Sequence, residues 1–142
     1  NPKDFHFDIV AINDVADVDT LVHLFKYDTT HGRFKGKVDV VQENGQFFLK
    51  LSAGLAHLTV QVLCESQPLN LPWQQLNVDV VLECTGLFRS HAAATQHIDG
   101  GAKRVIIGAA PFDTVDAAIV YGVNQHDVKA SDRIISSVSC TT

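Results

Sequence analysis

A cysteine set among hydroxyl residues is the part of the sequence best suited to covalent chemistry. Cys140 lies in the segment S-V-S-C-T-T, directly after a strand predicted at residues 133–136. If a helix begins there, its amide dipoles would stabilise the Cys140 thiolate, which is one way to form a nucleophile. The hydroxyls of Ser139, Thr141 and Thr142 could donate hydrogen bonds to a phosphate or an oxyanion. A buried cysteine without a catalytic role is an alternative for the same pattern.

An acidic residue at the end of another predicted strand is the second candidate. Asp14 follows Asn13 and the apolar run D-I-V-A-I at residues 8–12. From that position a carboxylate can accept both hydroxyls of an adenosine ribose in a dinucleotide-binding fold. An aspartate there can equally cap the next helix. Spacing alone favours the capping role, because the glycine-rich loop normally found about twenty residues earlier is not in the sequence.

Composition excludes several classes of function. The 142 residues are 46% hydrophobic and 19% charged, which is typical of a globular domain. A net charge of −5 with scattered Lys and Arg argues against a nucleic-acid partner. The sequence contains neither an apolar run long enough for a membrane span nor a signal-peptide pattern. We therefore expect a cytoplasmic protein with no membrane partner.

The histidines and cysteines do not form a metal-binding pattern. The chain has seven histidines and three cysteines, but none is spaced like a zinc site backed by further ligands. We predict no metal, free thiols in a reducing compartment, and mostly exposed histidines. Cys84, at the end of an apolar strand, fits the role of a small buried hydrophobic residue.

Short apolar runs alternate with helical stretches, a pattern typical of α/β proteins. Asp17 and Ser90 are the predicted N-caps of two helices, and residues 27–34 are a predicted loop. The Asn44-Gly45 pair predicts a tight turn between two antiparallel strands. The predicted strands cover residues 8–12, 37–41, 46–50, 58–64, 78–84, 104–108, 118–121 and 133–136.

These elements predict a partial Rossmann-type, doubly wound α/β fold, with a mostly parallel sheet and a small antiparallel excursion. Ligands of such sheets bind beyond the carboxyl ends of the strands. The residues at those ends are Asn13, Asp14, Thr85, Gly86, residues 108–111 and the stretch that ends at Cys140.

A series of motifs in a fixed order connects these strand ends to a known family. The motifs are V-A-I-N-D, L-F-K-Y-D-T-T-H-G-R-F, N-L-P-W, E-C-T-G-L-F, G-A-K-R-V-I-I, Y-G-V-N and S-C-T-T. Over residues 8–142 the chain closely resembles the phosphorylating glyceraldehyde-3-phosphate dehydrogenases. The resemblance implies an NAD-dependent enzyme of glycolysis, which is a homotetramer at full length.

The resemblance also implies a role for individual residues. Asn13 and Asp14 match the adenosine ribose site, and Thr85-Gly86 matches a segment beside the nicotinamide half of the cofactor. Cys140 matches the catalytic nucleophile. The residues that match phosphate-binding positions are Ser139 and Thr141.

The implied reaction consumes a small phosphorylated aldehyde and inorganic phosphate. The Cys140 thiolate attacks the aldehyde, a hydride leaves the thiohemiacetal for NAD, and phosphate releases the resulting thioester as an acyl phosphate, 1,3-bisphosphoglycerate. Asp14 favours NAD over NADP, because a carboxylate repels a 2′-phosphate.

Family members also contain a first strand with a glycine-rich loop, and a catalytic domain after the nucleophile. We therefore expect residues 1–142 to be an incomplete NAD-binding domain within a longer subunit, and the chain alone to be inactive. Ser137 and Val138 depart from the family pattern, since Asn-Ala is more usual before S-C-T-T.

Other functions remain open at this point. Erythrose-4-phosphate dehydrogenase, an enzyme of pyridoxal phosphate biosynthesis, shares nearly all of these motifs. E-C-T-G-L-F and the alanine-rich residues 108–111 favour the glyceraldehyde enzyme, because its sister tends to have a histidine in the second segment. A truncated, non-catalytic nucleotide-binding or partner-binding module is an alternative of another class. A flavodoxin-like regulator would explain only the strand and helix alternation.

Overall fold

A computed structural model describes residues 7–140 of the chain. The chain divides into two compact units, of which the first ends at Ser66 and the second begins at Gln67. No helix in residues 7–140 combines the length and apolar character that crossing a membrane requires.

The first unit contains one helix and a four-stranded sheet in the order β1-β6-β5-β4. Strands β1 and β6 are parallel, whereas β6, β5 and β4 form antiparallel pairs. A separate antiparallel pair, β2 and β3, follows the helix. The elements are β1 (Ala11–Asn13), α1 (Val18–Lys26), β2 (Tyr27–Asp28), β3 (Gly32–Arg33), β4 (Lys37–Glu43), β5 (Gln46–Ala53) and β6 (Ala56–Leu63).

Local sequence explains where α1 begins and where the chain turns between β4 and β5. Asp17 caps α1 as predicted, since its Oδ1 accepts a hydrogen bond of 2.9 Å from the Thr20 N–H. The helix buries Val22 against Val38 and Leu49 of the sheet. The predicted hairpin is also confirmed, because Asn44 and Gly45 have φ of 52° and 79°, as a two-residue hairpin turn requires.

Three details of the first unit differ from the sequence-based expectation. The strand predicted at 8–12 covers Ala11–Asn13 instead, so Asn13 belongs to it. The predicted loop at 27–34 contains the short β2–β3 pair. The antiparallel part is a three-stranded meander, in which β5 pairs with β4 from Gln46 to Ser52 and with β6 from Phe47 to Ala53.

The second unit has a sheet in the order β7-β8-β10-β9, in which every pairing is parallel. Ser90 caps α2 as predicted, accepting a hydrogen bond of 3.1 Å from the Ala93 N–H. The elements are a 3₁₀ turn (Pro68–Asn70), β7 (Val80–Glu83), α2 (His91–Asp99), β8 (Arg104–Ile107), β9 (Ala117–Ala118), a second 3₁₀ turn (Gln125–Asp127) and β10 (Ile134–Ser136). Strand β9 is shorter than the strand predicted at 118–121.

The parallel sheet buries one face under α2. Val105 and Ile107 of β8 are fully buried on that face. Strand β7 alternates, so Val81 is buried while Leu82 on the opposite face is 66% exposed. The core of the second unit therefore lies between α2 and one side of the sheet.

The two faces predict opposite responses to the loss of an aliphatic side chain. Ile107→Ala should lower the free energy of unfolding by about 2–5 kcal/mol, because it leaves a cavity in a closed site. Leu82→Ala should change it by less than about 0.5 kcal/mol, because this side chain is mostly in solvent. Urea unfolding followed by the fluorescence of Trp73, the single tryptophan of the chain, measures both. Equal effects would contradict the assignment of the buried face.

Candidate functional site

In the first unit, Asn13 ties the end of β1 to the chain that follows β6. Its Nδ2 donates to the carbonyl of Glu65 at 2.9 Å, and its Oδ1 accepts from the Glu65 N–H at 3.0 Å. The Asp14 N–H donates to the carbonyl of Leu63 at 3.2 Å. Because both polar atoms of the Asn13 side chain are engaged, this residue fixes the position of Asp14.

Asp14 is exposed beyond the end of β1 and does not cap α1. Its Oδ1 accepts from the Ala16 N–H at 2.9 Å, two residues along the chain. The helix cap is Asp17, so the capping role considered for Asp14 is wrong. Among residues 7–140, the structure gives Asp14 Oδ2 no hydrogen-bond partner, which leaves a carboxylate oxygen able to accept a ribose hydroxyl.

In the second unit, the carboxyl end of β7 carries a buried carboxylate. Glu83 is 4% exposed and receives hydrogen bonds at both of its oxygens. Its Oε1 accepts from the Thr85 N–H at 2.7 Å and from the Thr85 hydroxyl. Its Oε2 lies 3.0 Å from Nε2 of His97 on α2. Glu83 therefore connects α2 to the segment predicted to lie along the cofactor.

These hydrogen bonds determine the charge of Glu83. Burial alone would raise the pKa of Glu83, but the hydrogen bonds from His97 and Thr85 outweigh that effect and hold the pKa below its ordinary value. Glu83 is thus a buried carboxylate at neutral pH.

Gly86 follows Thr85 in a left-handed conformation, with φ of 74°. A Cβ built on Gly86 would have no atom of the protein within 4 Å. The backbone is therefore open on that side, as close approach of a ligand to the main chain requires.

Sequence reasoning missed Glu83 and His97. The histidines were expected to be mostly exposed, yet His97 is 4% exposed and donates or accepts at both ring nitrogens. The available signal was the strand periodicity, because Glu83 falls two residues after the buried Val81 and shares its face.

Cys84 corrects a related expectation. It is exposed rather than buried, because it is one residue out of phase with Glu83. Partial desolvation, together with the charge of Glu83, raises the pKa of the Cys84 thiol. All three cysteines, Cys64, Cys84 and Cys140, are exposed free thiols. Within residues 7–140, no group of three His, Cys, Asp or Glu side chains is arranged to hold a metal ion.

The segment after β10 brings Cys140 to the ends of two neighbouring strands. Cys140 is exposed in a bend beyond β10. The Ser137 N–H donates to the carbonyl of Ile107 at 2.9 Å, and the Ala110 N–H donates to the carbonyl of Ser139 at 2.7 Å. The two segments that the sequence singled out, 108–111 and the one ending at Cys140, are therefore adjacent. Thr141 lies outside the described residues.

A buried serine holds this segment in a strained conformation. Val138 has φ of 45°, which is unfavourable for a β-branched residue. The fully buried Ser136 donates through Oγ to the carbonyl of Ala109 at 2.7 Å and accepts from the Val138 N–H at 3.0 Å. These bonds offset the cost of the strained backbone two residues before Cys140.

Comparison with known proteins identifies the family of this chain. Residues 2–91 match the family model described as glyceraldehyde 3-phosphate dehydrogenase, NAD binding domain. The chain belongs to the glyceraldehyde-3-phosphate dehydrogenase family. The predicted Rossmann-type α/β class and the NAD cofactor are thereby confirmed. The match includes Asn13, Asp14, Thr85 and Gly86 and stops before Cys140.

Two relatives within this family extend the similarity to the rest of the chain. They are the plasmid-encoded and chromosomal glyceraldehyde-3-phosphate dehydrogenases of Cupriavidus necator. Each is 47% identical over 144 aligned residues, which cover 99% of this chain and 39% of the relative. The chain thus spans about two fifths of the length of these dehydrogenases.

Ser136 and its neighbour give a matched test of the strained segment in this family member. Ser136→Ala should lower the free energy of unfolding by about 1–3 kcal/mol, because it leaves the Ala109 carbonyl and the Val138 N–H without a partner. Ser137→Ala should cost less, about 0.5 kcal/mol, since Ser137 is exposed and the Ile107 carbonyl that accepts from its hydroxyl at 3.2 Å keeps the Ser137 N–H as a donor. Thermal unfolding measures the difference. Equal costs would show that Ser136 does not hold the segment.

Acid should destabilise the second unit through Glu83. Its pKa is lower in the folded chain than in the unfolded chain, so its stabilisation is complete above the ordinary carboxyl range and is lost as pH falls through the folded value. The urea concentration at the unfolding midpoint, reported by Trp73, should therefore decrease with a measurable slope as the pH is lowered below about 4. This slope should be smaller in Glu83→Gln and unchanged in Glu43→Gln, an exposed control. An unaltered slope in Glu83→Gln would exclude this origin.

Proposed function

We propose that the protein carrying this chain is an NAD-dependent glyceraldehyde-3-phosphate dehydrogenase with Cys140 as its nucleophile. The observation that carries the proposal is the exposed thiol of Cys140 beyond the parallel strands β8 and β10, in a chain of this family. In parallel sheets, this is the edge at which ligands bind.

The proposed reaction is an acyl transfer through Cys140. Its thiolate forms a bond to the aldehyde carbon of glyceraldehyde 3-phosphate, giving a thiohemiacetal. Loss of a hydride oxidises this adduct to a thioester, and NAD supplies the hydride acceptor when it is bound. Inorganic phosphate then attacks the thioester carbon and displaces the Cys140 sulfur, which leaves 1,3-bisphosphoglycerate and the free thiol. Ser139 and Thr141 are the proposed phosphate-binding residues.

The proposed cofactor-binding residues are Asn13, Asp14, Thr85 and Gly86. In the first unit, Asp14 would accept ribose hydroxyls at the adenosine end, and Asn13 would hold Asp14 in place through Glu65. In the second unit, Thr85 and Gly86 would line the nicotinamide half. The charge of Asp14 favours NAD over NADP, since a 2′-phosphate would be repelled.

The wider setting of the enzyme is also a proposal. Its similarity to the two dehydrogenases of Cupriavidus necator supports a small phosphorylated aldehyde and inorganic phosphate as substrates. We place the complete protein in glycolysis, in the cytoplasm and in a homotetramer. Residues 1–142 would form an incomplete NAD-binding domain of that subunit, inactive by itself.

Replacement of the nucleophile tests the proposal. In the complete protein that carries this sequence, Cys140→Ser should lower kcat/KM for glyceraldehyde 3-phosphate by at least about a thousandfold, because a serine hydroxyl is a far weaker nucleophile. Cys64→Ser, which replaces another exposed thiol, should leave turnover unchanged. NADH formation with inorganic phosphate present measures both variants.

The same assay separates the alternatives. Full activity of Cys140→Ser would defeat the nucleophile assignment. A preference for erythrose 4-phosphate would assign the protein to the sister enzyme. Binding of NAD without turnover of either aldehyde would indicate a non-catalytic nucleotide-binding module.

A further inference from the structure

Three buried side chains of the second unit form a hydrogen-bonded chain that ends at Thr85. The Trp73 Nε1–H donates to Nδ1 of His97 at 3.0 Å, and Nε2 of His97 lies 3.0 Å from Oε2 of Glu83. Glu83 then accepts from the Thr85 N–H and hydroxyl through Oε1. Trp73 is 6% exposed, and His97 and Glu83 are each 4% exposed. Solvent therefore competes little for the bonds among these three side chains, whereas Thr85 is exposed.

The direction of each bond follows from Trp73. An indole N–H can only donate, so Nδ1 of His97 is an acceptor and carries no proton. The proton of the neutral ring is then on Nε2, from which it is donated to Glu83. This tautomer is assigned from the bonding partners. His97 thus delivers one donor to the carboxylate and cannot accept from it.

At Thr85, the last member of this series of hydrogen bonds, the bonds fix the turn after β7. The Thr85 hydroxyl gives its proton to Glu83, and Thr85 Oγ1 accepts from the Leu87 N–H at 3.1 Å. Glu83 therefore accepts directly from the N–H and the hydroxyl of Thr85. It positions the Leu87 N–H indirectly, because that group donates to the Thr85 hydroxyl oxygen. Gly86 lies between them in its left-handed conformation. The Leu87 side chain is 73% exposed, so its packing contributes little to holding this turn.

We propose that Trp73, His97 and Glu83 are positioning residues of the NAD site. They act through Thr85, and keep the backbone around Gly86 in the conformation that the nicotinamide half of the cofactor requires. This inference rests on the proposed role of Thr85 and Gly86 in binding NAD. It adds that Glu83, whose hydrogen bonds are directed by Trp73 and His97, holds these two residues in the binding conformation.

Because each hydrogen bond has a fixed direction, the site should be sensitive to replacement of Glu83 by the isosteric glutamine. In Glu83→Gln the amide must place its NH₂ toward either His97 or Thr85. Both positions are occupied by donors, so one hydrogen bond becomes a donor–donor conflict. His97 cannot relieve the conflict by moving its proton to Nδ1, because that proton would then face the Trp73 N–H.

A second substitution should remove that obstacle. In Trp73→Phe, Nδ1 of His97 no longer faces a donor, so the ring can carry its proton there. Nε2 then accepts from the amide of Gln in Trp73→Phe/Glu83→Gln, while the amide oxygen still accepts from Thr85. Two substitutions should thus repair what Glu83→Gln alone disrupts. A role limited to filling the core would not produce this rescue, because the second substitution also removes buried volume.

The experiment uses the complete protein with four variants and two readouts. Calorimetric titration gives the Kd for NAD, and hydrogen exchange of the Gly86 and Leu87 amides is followed without NAD. Glu83→Gln should raise Kd roughly tenfold and accelerate exchange at both amides, the effect of one lost buried hydrogen bond. Trp73→Phe alone should change both little. The double variant should return to within about threefold of the unsubstituted protein.

Val105→Ala is the matched control, because it removes buried volume from the neighbouring strand, and a valine side chain takes no part in the hydrogen bonds from Trp73 to Thr85. Its Kd should be unchanged at temperatures below unfolding. An equal rise in Kd in Val105→Ala would overturn the positioning role, as would additive effects in the double variant. An unsubstituted protein that binds no NAD would overturn the proposed function together with this inference. Normal NAD binding by Glu83→Gln would overturn the inference alone.

Discussion

The second unit depends on one requirement: a carboxylate buried under a helix must have all of its hydrogen bonds made. An ionised side chain without partners is far more costly in a protein interior than in water. Glu83 meets the requirement by drawing donors from α2 and from the turn after β7. Those bonds fix the registration of α2 over the sheet and the conformation of Thr85 at once. A single charge therefore connects the packing of the core to the edge at which a ligand would bind.

The first unit achieves a comparable result without a buried charge. Asn13 makes two hydrogen bonds to the main chain of Glu65, and thereby joins the ends of two parallel strands. Asp14, the next residue, is left exposed at the end of β1. In each unit a residue that fixes the geometry, Asn13 or Glu83, thus lies one or two positions before a residue proposed to touch the cofactor, Asp14 or Thr85.

The sequence predicted those features that depend on local chemistry. Asp17 and Ser90 cap their helices because their side chains reach N–H groups three residues ahead, and Asn44-Gly45 forms its turn because both residues tolerate positive φ. The ordered motifs identified the family and the strand ends. The roles of Glu83 and His97 could not be read in this way, because their bond joins residues on separate elements. The exposure of Cys84 was missed because a short apolar run does not show which side of a strand α2 covers.

The chain of bonds from Trp73 to Thr85 also limits how related sequences can diverge. Positions 73, 83 and 97 are linked by the placement of protons, so a replacement at one of them is acceptable only with suitable residues at the other two. If Trp73 is first replaced by a ring without an N–H, an amide at position 83 can then be accommodated. If Glu83 is replaced first, the turn at Thr85 is poorly formed until position 73 also changes. Hydrogen-bond direction therefore restricts the order in which these three positions can change.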